Sequence, residues 1–242
     1  VYSYLNTFEP FDMFGLEHIV ALIAALAFII VLPLYAKRNL NEQVQHRLGM
    51  VIGWLVFGNY IVWVGLEAIA GTFDIKQHLP VHLCRFTNLA IPLVMVWRSY
   101  LVYEILFFWG LSAMLQASFT PDIAAGFPHF HYFRFFVGHN LMVVALIYAV
   151  VVYEMKPTLA SLKKAFIALN AFLLLAYVTN SLLDSNYFWI MGKPPTASLL
   201  DYLGPWPWYI LSAEFVALAH FGFAYFIYTM IEKYSIKKAV KP

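Results

Sequence analysis

The ten residues Leu79–Asn88 concentrate the side chains of this sequence that are best suited to covalent chemistry. They include Cys84, the only cysteine, which lies close to His82 and Arg85 where a long apolar segment begins. A cysteine attacks as its thiolate, and a neighbouring cation or a helix N-terminus favours that form. The stretch therefore predicts Cys84 as a candidate nucleophile, although a lone cysteine in a membrane helix also serves as a small packing residue.

A second candidate follows from depth along the apolar segments. Cys84 lies about three residues into its segment, which is roughly 5 Å at 1.5 Å per residue. His139 lies about six residues into a later segment that enters from the same side, as predicted from the order of the segments. A histidine at matching depth predicts a Cys–His pair in which His139 is the base.

Other polar side chains recur in the same third of nearly every apolar segment. Polar groups in membrane helices are costly and usually face the bundle interior or a cavity. The pattern predicts a polar cavity whose substrate-binding or oxyanion-stabilising residues are His82, Arg85, Asn88, Gln116, Asn140, Asn180, Glu67 and Glu214. The same amides and carboxylates are also typical of hydrogen bonds between membrane helices.

The elements that position these residues are predicted from hydropathy. The 242 residues are 62% hydrophobic and 12% charged, about half of the charge of a soluble domain, with a mean hydropathy of +0.73. Seven apolar runs are long enough to approach or cross the hydrocarbon layer. The sequence predicts an all-α, single-domain membrane bundle over residues 1–242, with spans near 16–36, 48–70, 81–97, 101–119, 133–155, 165–183 and 208–231.

The basic residues predict the orientation of this bundle. With seven spans, eleven of the fifteen lysines and arginines fall on the side of the tail 232–242 and four on the other side. Basic residues favour the cytoplasmic side. We therefore expect a cytoplasmic tail, an external N-terminus preceded by an interfacial segment over residues 1–15, and a cavity open toward the outer leaflet of the plasma membrane.

The residue counts limit which cofactors and partners this chain can be expected to bind. A single cysteine excludes an intramolecular disulfide and a thiolate metal cluster. His78, His129 and His131 lack a defined metal-ligand spacing, so neither a metal nor another cofactor is predicted. The net charge of +2 does not indicate nucleic acid binding, and the oligomeric state is left open.

Several motifs resemble the YwaF-like family of bacterial integral membrane proteins. They are the LPVHLC stretch ending at Cys84, Gln116-Ala117 with Thr120-Pro121, Gly138-His139-Asn140, and above all the late segment from Asn186 to Tyr209 with its SLLDYLGPWPWY sequence. An animal relative of that family is a membrane acyltransferase that transfers polyunsaturated chains to ether lysophospholipids through a cysteine. The resemblance implies Cys84 as nucleophile and His139 as its partner.

The combined reading is a cysteine-dependent lipid acyltransferase that moves a fatty acyl chain between phospholipid and lysophospholipid through a thioester. An external cavity favours a CoA-independent transacylase, because cytosolic acyl-CoA would not reach it. A transporter or flippase is the main alternative, in which Glu67 or Glu214 matters and Cys84 does not. A non-catalytic lipid sensor, a lipase that uses water as acceptor and a histidine-bound metal hydrolase also remain open.

Overall fold

The chain folds into helices joined by short loops. A computed structural model describes residues 8–195 and 198–240, with 234–240 described by their backbone alone. No β-strand occurs within these ranges, apart from an isolated bridge between Pro10 and Ala125. The predicted all-α class is confirmed. The helices are α1 Leu16–Asn39, α2 Glu42–Ala70, α3 Leu83–Met95, α4 Tyr100–Trp109, α5 Leu115–Phe119, α6 Phe130–Val151, α7 Leu159–Leu183 and α8 Trp208–Val240.

Helices α4 and α5 form one rod with a π-helical insert, Gly110–Met114, between them. Gly110 packs against α6 so closely that an added Cβ would lie 2.1 Å from Leu146 Cδ1. Two short 3₁₀ turns, Tyr187–Trp189 and Leu199–Tyr202, interrupt the long segment between α7 and α8.

Several helices begin before their apolar stretch. The predicted loop around residues 37–47 is almost entirely helical, because α1 continues to Asn39 and α2 begins at Glu42 after the N-cap Asn41, whose Oδ1 accepts from the Val44 N–H at 3.0 Å. Helix α7 begins at Leu159, where Thr158 and Ser161 form a reciprocal capping box. Such caps satisfy the free N–H groups of the first turn, so polar flanks become helical where hydropathy predicts loops.

Among the described residues, six helical rods are long and apolar enough to cross a membrane: α1, α2, α4 to α5, α6, α7 and α8. The seventh predicted span, 81–97, contains only the thirteen residues of α3, which is about 20 Å of helix against about 30 Å of hydrocarbon. Its N-cap is His82, and the chain leaves helical geometry at Arg98, which has a φ of 55°. Seven full spans and the direction of the termini therefore stay predictions.

The bundle has two ends, which we name by their residues. The basic end contains Lys37, Arg98, Lys156 and Glu232, and the thiol end contains Lys76, Cys84 and Asp184. Although α3 is short, its flanking residues connect the two ends, because Arg98 Nη2 lies 3.1 Å from His46 Nδ1 near the start of α2. The rods thus alternate in direction between the ends.

Helix α6 lies at the centre, where Met142, Val144, Leu146 and Tyr148 are fully buried against the surrounding helices. Helices α1 and α8 are peripheral and expose large apolar side chains such as Val31 and Phe215. An apolar outer surface is what a bilayer requires of a membrane bundle.

Parts of the predicted termini fall outside these ranges. Residues 1–7 of the predicted interfacial segment and residues 241–242 of the predicted tail are not described, and neither are the side chains of Lys237 and Lys238. Within the described backbone, the tail continues α8 as helix to Val240.

Candidate functional site

Cys84 lies in the first turn of α3, at the thiol end of the bundle. The chain turns into α3 at His82, whose side chain makes no capping hydrogen bond and instead contacts the rings of Tyr187 and Trp189 edge-on. The first N–H groups of a helix have no partner inside the helix. The thiol therefore lies beside a helix N-terminus whose first N–H groups are not capped by the His82 side chain.

His139 of α6 lines the same cavity as Cys84, and the imidazole and the thiol interact electrostatically. The other side of its ring is fixed, because Nδ1 lies 2.9 Å from the Phe135 carbonyl oxygen and must donate to it. Phe135 also stacks on the imidazole with ring centroids 4.1 Å apart. In the neutral ring this assigns the proton to Nδ1 and leaves Nε2 as the nitrogen that can accept the thiol proton.

Both residues line one polar cavity of about 220 Å³, which we call the thiol cavity. Its walls come from α2, from the start of α3, from α5 and the loop after it, and from one face of α6. Its lining residues are Asn59, Tyr60, Trp63, His82, Cys84, Arg85, Asn88, Ala117, Thr120, Asp122, Arg134, Phe135, Gly138, His139 and Trp189.

Two guanidinium groups share one indole ring in this cavity. Arg85 Cζ lies 4.7 Å and Arg134 Cζ lies 4.1 Å from the Trp63 ring centroid. Trp63 Nε1 donates to Glu67 Oε1 at 2.9 Å, and Thr72 Oγ1 donates to the other carboxylate oxygen. Glu67 therefore does not line the thiol cavity but orients the ring on which both arginines stack.

Two asparagines lie next to Gly138. A Cβ added to Gly138 would lie 2.4 Å from Asn59 Nδ2 and 3.8 Å from Asn88 Oδ1, so only glycine leaves room for this arrangement. Asn88 Nδ2 donates to the Cys84 carbonyl oxygen at 2.7 Å and approaches Met142 Sδ at 3.5 Å, while its Oδ1 is buried without a partner. The Asn59 amide has no hydrogen-bond partner among the described residues.

The structure thus brings five of the ten predicted site residues to one cavity: Cys84, His139, His82, Arg85 and Asn88. The others lie elsewhere or, in the case of Glu67, behind Trp63. Gln116 Nε2 donates to Thr120 Oγ1 at 3.1 Å. Asn140 accepts from Ser118 Oγ at 2.9 Å, and Glu214 accepts from Asn170 Nδ2 at 3.0 Å.

Asn180 belongs to the end of α7. Its Oδ1 accepts from the Tyr187 N–H at 2.6 Å and from Ser185 Oγ at 2.9 Å, while its Nδ2 donates to the Tyr187 carbonyl oxygen at 2.9 Å. These bonds fold the chain back after α7. Depth in the membrane does not distinguish residues that line the cavity from those that do not. Residues at the same depth can lie on any face of their helix.

Sequence reasoning missed Arg134, Trp63 and Asn59 as site residues. Arg134 and Gly138, like Phe135 and His139, are four residues apart and therefore share a face of α6. The four-residue spacing around His139 could have indicated from the sequence that Arg134 lies on the same side of the helix. Asn59 and Trp63 are likewise four residues apart on α2, but nothing in a uniformly apolar segment marked that face.

The three loop histidines have other contacts. His78 Nδ1 accepts from the Asp74 N–H at 2.9 Å, and its ring stacks on Phe73. His131 Nε2 lies 3.9 Å from Glu67 Oε1. Within residues 8–195 and 198–240, no three His, Cys, Asp or Glu side chains are grouped so that they could hold a metal ion.

Two apolar spaces flank the thiol cavity. An inner apolar cavity of about 210 Å³ is lined by Leu83, next to Cys84, and by residues of α7 and α8, and it shares Trp189 with the thiol cavity. On the other face of α6 a lateral groove of about 560 Å³ lies against α1, with Phe136, Val137 and Asn140 in its wall.

An all-helical chain with six membrane-length apolar rods and a polar cavity near one end is, by class, a multi-pass membrane protein. Residues 13–225 match the family model described as the TMEM164 family, and the chain belongs to that family. Comparison with curated proteins and with solved structures finds no match. The resemblance to the YwaF-like proteins and to an acyltransferase stays an interpretation of the sequence motifs.

Proposed function

We propose that this chain is a membrane lipid acyltransferase that transfers a fatty acyl chain through a thioester on Cys84. The observation that carries the proposal is that Cys84 and His139 line one cavity and interact, while His139 Nδ1 donates to the Phe135 carbonyl oxygen and so leaves Nε2 to accept a proton. A nucleophile, a base and a group that orients the base are the parts required for covalent catalysis.

The reaction consists of two proton-balanced steps. His139 takes the thiol proton as the sulfur attacks the ester carbonyl of a phospholipid, the ester C–O bond breaks, and the protonated imidazole returns that proton to the departing lysophospholipid. An acceptor hydroxyl then gives its proton to His139 and attacks the thioester carbonyl, the C–S bond breaks, and the protonated imidazole returns the proton to the Cys84 sulfur.

The donors available to the developing oxyanion differ from those expected from sequence. Gln116 and Asn180 are directed elsewhere, and Asn88 Nδ2 is already bound to the Cys84 carbonyl oxygen. The Asn59 amide lines the cavity without a partner among the described residues, and the first N–H groups of α3 lie beside the thiol. We assign oxyanion stabilisation to these groups, since preorganised donors at a forming oxyanion provide a large share of catalysis.

The apolar spaces suit the rest of the lipid. The inner apolar cavity shares the lining residue Trp189 with the thiol cavity and is lined by Leu83, the neighbour of Cys84, so it is the space we assign to the acyl chain. A thiol end outside the cytoplasm would favour a CoA-independent transacylase. Labelling of Cys84 in intact cells by an impermeant thiol reagent tests that orientation, and labelling only after permeabilisation would contradict it.

The experiment that tests the chemistry is intact-mass measurement of the purified protein after incubation with mixed phospholipids. We expect an added fatty-acyl mass that hydroxylamine removes and that is absent in Cys84→Ala. A transporter would keep its activity in Cys84→Ala and acquire no adduct. Absence of an adduct together with unconsumed lysophospholipid would contradict the acyltransferase.

A further inference from the structure

Arg85 and Arg134 hold two positive charges against the same tryptophan ring. Two like charges stacked on one indole repel each other, and the electrostatic interaction between them is unfavourable. Stacking on tryptophan offsets part of that cost, and the Glu67 carboxylate bound to the indole N–H makes the ring a better partner for cations. The arrangement keeps two guanidinium groups in the cavity that holds the thiol.

The hydrogen bonds of the two arginines are far from complete. Arg85 Nη1 donates to the backbone carbonyl oxygens of Gln77 and Leu79. Arg134 makes no hydrogen bond to any described residue, and its Nε is buried without a partner. A guanidinium carries five N–H donors, and burying a charged donor without an acceptor is costly. Arg134 is thus a half-buried cation whose buried Nε has no acceptor among the described residues.

The carboxylates nearby do not supply the missing acceptor to Arg134. Both oxygens of Glu67 already accept from Trp63 and Thr72, and Glu67 does not line the cavity. Asp122 lies exposed at the cavity wall and interacts with Arg85. The cavity therefore presents positive donors next to Cys84.

We propose that Arg85 and Arg134 bind the phosphate group of the phospholipid or lysophospholipid substrate and so fix the position of its ester relative to the thiol. The planar fork of arginine matches phosphate oxygens with paired hydrogen bonds. This inference rests on the proposed acyltransfer for the identity of the lipid. It adds that the headgroup phosphate, rather than the acyl chain alone, is recognised in the thiol cavity.

The test is a binding measurement on the full chain in lipid nanodiscs, in the Cys84→Ala background so that no turnover occurs. The probes are a lysophosphatidylethanolamine and an uncharged monoacylglycerol with the same chain. We expect the lysophospholipid to bind about tenfold tighter or more, since hydrogen bonds that involve a charged group are stronger than those between neutral groups. Adding Arg134→Gln should remove most of that preference and leave monoacylglycerol binding unchanged, whereas Arg134→Lys should retain part of it.

Arg98→Gln is the matched control, because Arg98 is also stacked on an aromatic ring, Tyr153, but lies at the basic end. It should keep the full preference. Equal binding of the two probes by the Cys84→Ala protein would overturn the inference without relying on any arginine variant that fails to fold. Equally strong competition by inorganic phosphate would overturn its lipid part and indicate a site for free phosphate.

These outcomes are separate from those of the acyltransferase test. An Arg134-dependent preference for phosphate in a protein that never forms a thioester would keep the binding site and reject the chemistry. A thioester formed by a protein that binds both probes equally would do the reverse.

Discussion

Arg98 and Arg134 occupy opposite ends of the bundle and are both stacked on an aromatic ring, but their hydrogen bonds differ. Arg98 Cζ lies 3.1 Å from the Tyr153 ring centroid, and its Nη2 lies within hydrogen-bonding distance of His46 Nδ1. Arg134 stacks on Trp63 and makes no hydrogen bond among the described residues.

Like Arg98, three lysines at the basic end have polar partners. Lys37 pairs with Glu154 at 2.7 Å, Lys156 with Glu232 at 2.7 Å, and Lys164 with the buried Glu104 at 2.6 Å. In these three pairs the charges satisfy one another, whereas among the described residues the thiol end keeps the Arg134 guanidinium, the Asn59 amide and the Asn88 carboxamide oxygen without hydrogen-bond partners. We infer that the basic end stabilises the fold and that the thiol end is built for a ligand.

The largest expected effect is that of His139→Gln at the thiol end. It removes the base but keeps a polar side chain of similar length, so acyl transfer should fall by about 10²- to 10⁴-fold while the protein stays folded. Rates of thioester formation and thermal unfolding, measured on the same preparation, check both parts. An unchanged rate would remove His139 from the mechanism.

Gly138→Ala should come next. The new Cβ would meet Asn59 Nδ2 at 2.4 Å and push that amide out of place. We expect about a 10- to 100-fold slower transfer, the scale that a displacement of about 1 Å can cause. Gly65→Ala is the matched control, since a Cβ there meets nothing within 4 Å. It should leave the rate unchanged and stabilise α2 by up to about 1 kcal/mol.

Glu104→Gln tests the other half of the comparison, the expectation that the basic end affects stability and not the reaction. Glu104 accepts from Lys164 Nζ at 2.6 Å and from Ser161 Oγ at 2.7 Å, which ties α4 to α7. Loss of its charge should cost about 1–3 kcal/mol of stability and leave the transfer rate of the folded protein unaltered. A thermal melt and a rate assay measure the two separately, and a rate that falls without a change in melting would contradict the division between the ends.

Lys37→Ala should have the smallest effect. Its pair with Glu154 lies at the surface, where salt and side-chain entropy cancel most of the attraction. We expect no measurable change in melting temperature or in rate. A clear loss of stability would indicate that the surface pairs of the basic end act as a network.

Most of the fold was predictable because apolar length is a strong signal, and the site was predictable only in part. The predicted spans begin at residues 48 and 165, after the true starts of α2 and α7 at Glu42 and Leu159. The first turns of both helices are polar and capped, so they lie outside the apolar stretch that hydropathy detects. Depth placed Cys84 near His139, but it grouped Asn140 with them although Asn140 points to the lateral groove. Arg134 counted only as one of the four basic residues on the outer side, because only packing against Trp63 distinguishes it from a cation at a membrane surface.

The π-helical insert Gly110–Met114 determines where related chains can gain or lose one residue. A π turn contains one more residue than an α turn, so loss of a single residue there would restore an α-helix. Because the wide turn takes up the extra residue, the α-helical turns on either side would keep their faces, and Ala117 and Thr120 would still line the thiol cavity. A deletion in the regular turns of α4 would instead rotate the chain beyond it by about 100°, one residue at 3.6 per turn. Related chains should therefore tolerate a difference of one residue in length within this insert better than within α4.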